Sequence, residues 1–123
     1  METENASSLF EALSSDTRLD IFRLLVRYAP DGLVAGEIGK HLNLPATNLS
    51  FHLKNLTHSG LVSMEKEGRF LRYRASIPLM LDLIAFLTDN CCQGDSGKCR
   101  RYRENSRISL EFLPPLAAEK ADE

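Results

Sequence analysis

The sequence predicts one mainly helical domain of the α+β class, in which short helices precede a β-hairpin and a last helix. Three observations support this prediction. The chain has 123 residues, enough for one compact domain. Apolar residues recur at helical spacing over most of its length. Between Val62 and Ala75 the period changes to two around a central glycine, as in a hairpin.

Two helices are expected in the first thirty residues. A short one is predicted over Ser8–Leu13, and the polar segment Ser14–Asp16 then breaks it and supplies caps for the next. The second helix is predicted over Asp16–Tyr28. Its apolar stripe consists of Leu19, Phe22, Leu25 and Val26.

A helix, a tight turn and a second helix follow. The first is predicted over Ala35–Leu42, where Asn43 suits the left-handed residue that closes a helix. The second is predicted over Ala46–Ser59, with Gly60 as its terminator. Its buried stripe is expected to be Leu49, Leu53 and Leu56.

A hairpin over Val62–Ala75, with its tip at Glu67–Arg69, leads to a helix predicted over Ile77–Asp89. That helix is apolar on almost every side, and Asp82 is the main exception in its middle. Such a helix needs more cover than one small domain supplies, so we expect a second subunit and a homodimer.

The chain becomes polar after Asn90, where we expect little regular structure apart from a short helix near Ile108. We therefore divide it into a domain at 1–90 and a cysteine-containing loop and flexible tail at 91–123. The order of elements in the first part is that of a winged helix-turn-helix with N- and C-terminal dimerisation helices.

In a helix-turn-helix the second helix enters the major groove of DNA with its N-terminal residues toward the bases. The candidates for contacts with bases or phosphates are Thr47, Asn48, Ser50 and His52. The candidates for contacts with phosphates are Lys54, Lys66, Arg69 and Arg72. For any single residue, a solvated surface side chain is an equally good interpretation; His52 can instead brace the turn, and Phe51 can pack partly beneath the hairpin.

Charge and composition set further limits. The net charge is −2, but basic residues outnumber acidic ones between Pro45 and Ala75. No apolar run is long enough to span a membrane and the acidic start does not resemble a secretory signal, so we expect a cytoplasmic protein without a membrane partner. A C-x-x-C motif, a glycine-rich phosphate loop and an acid–base constellation are all lacking, so an enzyme is improbable.

Cys91, Cys92 and Cys99 are the only cysteines and lie within one short window. Their odd number argues against a disulfide framework, and cytosolic thiols are normally reduced. Three thiolates without a fourth ligand suit As(III), with Sb(III) as a close relative, whereas Zn(II) prefers four ligands. Hg(II), Cd(II) and Cu(I) remain open, as does a redox sensor in which Cys99 forms a disulfide with Cys91 or Cys92. Basic residues favour the thiolate form: Lys98, Arg100, Arg101 and Arg103.

Several segments resemble the arsenical-resistance repressor (ArsR/SmtB) family. Residues 12–25 look like its opening signature, 49–56 with 59–62 like its recognition helix and exit, and 67–69 with 73–74 like its wing. The resemblance implies a homodimer that binds a palindromic operator in double-stranded DNA and releases it when a metal or metalloid binds. The family's best-known arsenic site lies on the helix before the turn, which has no cysteine here. The chain instead resembles a branch with a three-cysteine As(III) site after the last helix.

Overall fold

The computed structural model describes residues 1–108, and the side chains of Ser96 and Lys98 are not described. The elements are α1 Thr3–Ala12, α2 Asp16–Arg27, β1 Leu33–Val34, α3 Ala35–Leu42, α4 Ala46–Ser59, β2 Val62–Glu67, β3 Phe70–Ala75, α5 Ile77–Thr88, a 3₁₀ turn Cys91–Gly94 and α6 Ser96–Glu104. The predicted fold class is confirmed: a mainly helical chain with a small antiparallel sheet.

The chain forms two compact units, one at 1–80 and one that begins at Leu81. The boundary between these units falls within α5. The predicted division at residues 90 and 91 stays a prediction. No helix in the described part of the chain is both long and apolar enough to cross a membrane.

The first two helices differ in detail from the prediction. α1 begins at Thr3, five residues before the predicted start, because Ala6 extends the buried face formed by Leu9 and Ala12. In α2 the side-chain oxygen of Ser15 accepts a hydrogen bond from the Arg18 amide, the expected cap. The buried residues of α2 are Ile21, Phe22, Leu24 and Leu25, so the predicted inclusion of Leu19 in the stripe is wrong.

The helix-turn-helix follows the sequence closely. α3 and α4 have the predicted bounds. Asn43 has φ 53° and Gly60 has φ 91°, so both helices end at left-handed residues. α3 packs against α4, and Ile38 is fully buried beside the leucine stripe of the second helix.

The sheet has three strands in the order β1-β3-β2, all antiparallel. Val62 pairs with Ala75 and Glu67 pairs with Phe70, which confirms the predicted hairpin and its tip. β1 adds Leu33 opposite Tyr73. The sequence did not reveal β1, because two residues are too few to show a period. Tyr73 is buried, and burial raises the pKa of its phenol.

The expectation of little regular structure after Asn90 is wrong, because α6 occupies Ser96–Glu104. The Asp95 side chain caps it by accepting a hydrogen bond from the Gly97 amide at 2.9 Å. Residues 105–108 are not helical. The rest of the predicted flexible tail, and any part of the helix predicted near Ile108 that follows residue 108, lie outside the described residues.

The first prediction concerns Gly32, which precedes β1 with φ +74°. A Cβ atom there would overlap the carbonyl oxygen of Tyr73 in addition to straining a left-handed residue. We expect Gly32→Ala to lower the free energy of unfolding by about 2 kcal/mol or more. Urea unfolding followed by circular dichroism measures it.

Gly36 provides the matched control, because it lies in α3 and an added Cβ would meet no atom within 4 Å. Gly36→Ala should raise the free energy of unfolding by about 0.5–1 kcal/mol through helix propensity. Equal effects of the two substitutions would contradict the close approach of Gly32 to β3.

Candidate nucleic-acid interface and cysteine site

The exposed face of α4 carries the predicted polar side chains. Thr47, Asn48, Ser50 and Lys54 are exposed. The opposite face holds Leu49, Leu53 and Leu56, whose exposed fractions are 4%, 1% and 0%. The predicted division of this helix into a buried and a polar side is therefore confirmed, and four of the candidate DNA contacts share one surface.

Pro45 is the N-cap residue of α4 and no side chain caps the helix there. Proline at this position leaves the first amide groups of the helix without a side-chain acceptor. Such groups, together with the helix dipole, attract anions, phosphate among them.

His52 lies on the flank of α4 and is half-buried. Its Nδ1 atom is 3.5 Å from Nη1 of Arg18, a residue of α2. Phe51 contacts the His52 ring edge-on with 5.5 Å between ring centroids, but Phe51 itself is 67% exposed. The alternative in which Phe51 packs beneath the hairpin is therefore wrong. The sequence did not point to Arg18, which lies 34 positions before His52.

The hairpin brings acidic and basic side chains together. Arg72 donates to the Glu67 carboxylate at 2.9 Å and to the Gly32 carbonyl at 3.3 Å. Arg74 donates to the Glu65 carboxylate at 3.0 Å. A DNA phosphate would have to compete with Glu67 for Arg72.

The other two basic residues of the hairpin, Lys66 and Arg69, have different surroundings from Arg72 and Arg74. Lys66 and Arg69 are exposed, and neither forms an ion pair with any residue between 1 and 108. Both are on or next to the tip, since Arg69 follows Gly68 in the turn. These two cations are the hairpin's uncompensated positive charges.

The three cysteines meet in the second unit. All three Sγ atoms lie within 4.8 Å of one another. Cys91 Sγ is 3.9 Å from Cys92 Sγ and 3.2 Å from Cys99 Sγ. Cys99 is buried on α6, whereas Cys91 is exposed. The turn Cys91–Gly94 and the start of α6 therefore bring together residues that the sequence separates by up to eight positions.

The backbone of this turn is unusual. Cys92 has φ 55° and Gln93 has φ 59°, and both are non-glycine residues in the left-handed region. This conformation costs about 1–2 kcal/mol per residue. Compensation comes from hydrogen bonds, such as that from the Asp95 amide to the Cys92 carbonyl at 2.9 Å, and from a cross-link.

That cross-link is a disulfide between Cys92 and Cys99, which leaves Cys91 as the free thiol. The sequence led us to expect three reduced thiols in a flexible loop. In the structure two of the cysteines form a disulfide, and Cys99 lies on a helix. The capped α6 holds Cys99 beside Cys92, which makes the pair geometrically able to bond. Arg103 is buried one helical turn beyond Cys99, and Arg100 and Arg101 are exposed.

Comparison with known proteins gives a family. Residues 13–65 match a family profile described as "Helix-turn-helix domain". An uncharacterised HTH-type transcriptional regulator, YceK of Bacillus subtilis, is 36% identical over 63 residues, 51% of this chain and 62% of its own length. The chain thus spans less than two thirds of YceK. A probable mercury resistance operon repressor of Streptomyces lividans is 28% identical over 94 residues, 76% of this chain and 71% of the repressor.

Solved structures extend the match. HlyU from Vibrio cholerae is 32% identical, with a TM-score of 0.57, over 71% of this chain and 97% of HlyU. An ArsR-like transcriptional regulator from Rhodococcus is 25% identical, with a TM-score of 0.64, over 85% of this chain and 96% of the regulator. The helix-turn-helix, the hairpin and these likenesses agree: the chain belongs to the ArsR family of transcriptional regulators.

Proposed function

We propose that this protein is an As(III)-responsive repressor. It binds operator DNA as a homodimer and dissociates when As(III), or Sb(III), is bound by the thiolates of Cys91, Cys92 and Cys99. The observation that carries this proposal is the convergence of three sulfur atoms within 4.8 Å in one chain.

The DNA-binding surface consists of α4 and the tip of the hairpin. Thr47, Asn48 and Ser50 offer hydrogen bonds near the start of α4, where the uncapped amides favour a phosphate. Lys54 on the same helix, with Lys66 and Arg69 on the hairpin, supplies phosphate contacts. Arg72 takes part only if a phosphate displaces Glu67 from its guanidinium.

The apolar surface of α5 supports a homodimer. Of its twelve residues only Leu83 is buried, while Leu81 is 38% and Leu87 is 61% exposed. A helix of this composition loses its hydrophobic stabilisation in water unless something covers it. A second copy of α5 provides that cover by twofold symmetry, and the same symmetry presents two copies of α4 to a palindromic operator.

The cysteine site fits a soft, three-coordinate ion. Metal–sulfur bonds are about 2.3 Å long, so two sulfurs on one ion are at most about 4.6 Å apart. The largest separation between two of the three sulfurs is 3.9 Å, which is inside that limit, so small side-chain rotations suffice once the disulfide is reduced. The mercury repressor among the relatives supports thiophilic ions as a class. Among residues 1–108, no further His, Cys, Asp or Glu side chain is grouped with the three sulfurs, and a three-sulfur site favours As(III) within that class.

Release of DNA follows from the position of the site. Cys91 and Cys92 come directly after α5, and Cys99 belongs to α6. Binding one ion to all three restrains α6 against the end of the helix that we assign to the dimer interface. A small rotation at that interface changes the distance between the two copies of α4, and DNA half-sites tolerate little change in spacing.

The second prediction tests this release. Arsenite added to the reduced protein should bind at one ion per chain and lower its affinity for a DNA duplex selected by the wild-type chain by about 5- to 150-fold, since allosteric couplings are about 1–3 kcal/mol. Cys99→Ser should bind the duplex normally and lose the response. Calorimetry gives the stoichiometry and fluorescence anisotropy gives the DNA affinity.

Control titrations with Zn(II) and Cd(II) separate As(III) from four-coordinate ions. A wild-type protein that holds the duplex equally well at saturating arsenite would refute the inducer, even if DNA binding itself remains.

A second candidate function is supported by the Cys92–Cys99 disulfide. In a redox sensor, an oxidant such as hydrogen peroxide removes two electrons and two protons from the two thiols and is reduced to water. The cross-link then joins α6 to the same turn that an ion would restrain. Cys91 takes no part in this reaction and stays a free thiol.

The third prediction separates the two functions through Cys91. Peroxide should cross-link Cys92 to Cys99 in both the wild-type protein and Cys91→Ser, leaving the wild-type protein with one alkylatable thiol in peptide mass spectrometry. Cys91→Ser should lose the arsenite response, because only two thiolates remain. If peroxide releases DNA from Cys91→Ser, the protein is a redox sensor. If arsenite but not peroxide releases DNA from the wild-type protein, it is a metalloid sensor.

A further inference from the structure

Arg18 connects the end of α1 with α4. Its Nε atom donates to the Ala12 carbonyl at 2.7 Å, and its Nη2 atom donates to the Glu11 carbonyl at 3.5 Å. Both carbonyls belong to the last turn of α1, and the Glu11 carbonyl also accepts from the amide and the hydroxyl of Ser14. The remaining nitrogen, Nη1, lies 3.5 Å from Nδ1 of His52. The guanidinium is thus held by α1 and faces the imidazole of α4.

This contact determines where the His52 ring carries its proton. An arginine side chain has five N–H donors and no acceptor. The imidazole nitrogen that faces it must therefore hold a lone pair, which assigns the proton of the neutral ring to Nε2. His52 then has one further hydrogen-bonding function, an Nε2–H donor.

We propose that Arg18 is a positioning residue for DNA recognition, which orients the His52 ring so that its Nε2–H donates to an acceptor of the operator. This inference rests on the proposed DNA-binding function. The acceptors that suit an N–H donor are phosphate oxygens, N7 of either purine, guanine O6 and thymine O4. The amino groups of adenine and cytosine are donors and are excluded.

The geometry explains why an arginine is needed. Its planar fork reaches the α1 carbonyls with Nε and Nη2 while Nη1 faces His52. A lysine ammonium is a single point on a flexible stem and cannot hold both sides at once. If Arg18 served only to cap α1, the carbonyl contacts would suffice and substitution of Arg18 would not change the tautomer of His52. The tautomer of the His52 ring therefore distinguishes a capping role of Arg18 from a positioning role.

The fourth prediction begins with the free full-length protein. Long-range ¹H–¹⁵N NMR at neutral pH should show His52 with a protonated Nε2 and an unprotonated Nδ1. Arg18→Gln should show a mixture of both tautomers. Arg23→Gln, an exposed arginine on the same helix, is the matched control and should match the wild type. A His52 spectrum that Arg18→Gln leaves unchanged would overturn the positioning role.

Substitutions of His52 then test the hydrogen bond to DNA. Gln places a side-chain N–H near the position of Nε2, whereas Asn places its amide near Nδ1. On a duplex selected by the wild-type chain, we expect His52→Gln to retain most of the affinity and His52→Asn to bind about tenfold more weakly, the effect of one net hydrogen bond. The double variant Arg18→Gln/His52→Asn should bind no more weakly than His52→Asn, because both remove the same interaction. Thermal melting verifies that each variant is folded.

Interference mapping of the wild-type protein and His52→Asn distinguishes the two sources of acceptor. If ethylation of one phosphate weakens binding of the wild-type protein but not of His52→Asn, the acceptor is that phosphate. If methylation of one purine has this effect instead, the acceptor is a base edge. If His52→Asn binds the duplex as tightly as the wild-type chain does, His52 has no role in recognition, while the DNA-binding function stands. If the wild-type chain selects no duplex at all, the proposed function itself fails, and the NMR result shows separately whether Arg18 positions the ring.

Discussion

The direction of every polar side chain on α4 depends on three leucines that face the other way. Leu49, Leu53 and Leu56 are spaced so that one side of a 3.6-residue helix is buried. Burial of each contributes about 1.5–3 kcal/mol, so a rotation of α4 about its axis is strongly opposed. The exposed face is fixed as a consequence. Selectivity for a DNA sequence can then reside in a few short side chains, because a rigid helix presents them in one register.

Ion pairing decides which side chains carry the free positive charge of this surface. Between residues 45 and 75, Arg72 and Arg74 pair with the two glutamates of β2. Exposed ion pairs of this kind add little stability. Among residues 1–108, no ion pair involves Lys54, Lys66 or Arg69, so the free positive charge lies on these three. A surface with few free cations relies less on phosphate attraction and more on oriented donors such as the α4 amides.

The sequence predicted the structure best where short-range backbone preferences determine it. Asn43 and Gly60 end their helices through backbone preferences that need no distant partner, and α3 and α4 accordingly had the right bounds. It failed at α6, whose arginines are good helix formers but create no apolar period. It also missed the pairing of Arg18 with His52, because two residues 34 positions apart become neighbours only through packing. The cysteine window was evident in the sequence, but its oxidation state depends on the surroundings.

The turn Cys91–Gly94 is the part of the structure on which the proposed regulation depends. Left-handed residues at Cys92 and Gln93 are unfavourable alone, so the turn persists while something ties it to α6. A disulfide provides one tie by using two sulfurs. An ion held by three sulfurs would provide another, and the two are mutually exclusive, since a disulfide leaves a single thiolate. The reduced chain without an ion has neither tie, and the turn is then free to relax. In the repressor that we propose, this untied state is the one that binds DNA, and closing the turn around an ion is the signal transmitted to α5. In the alternative redox sensor, closing the turn by the disulfide is that signal.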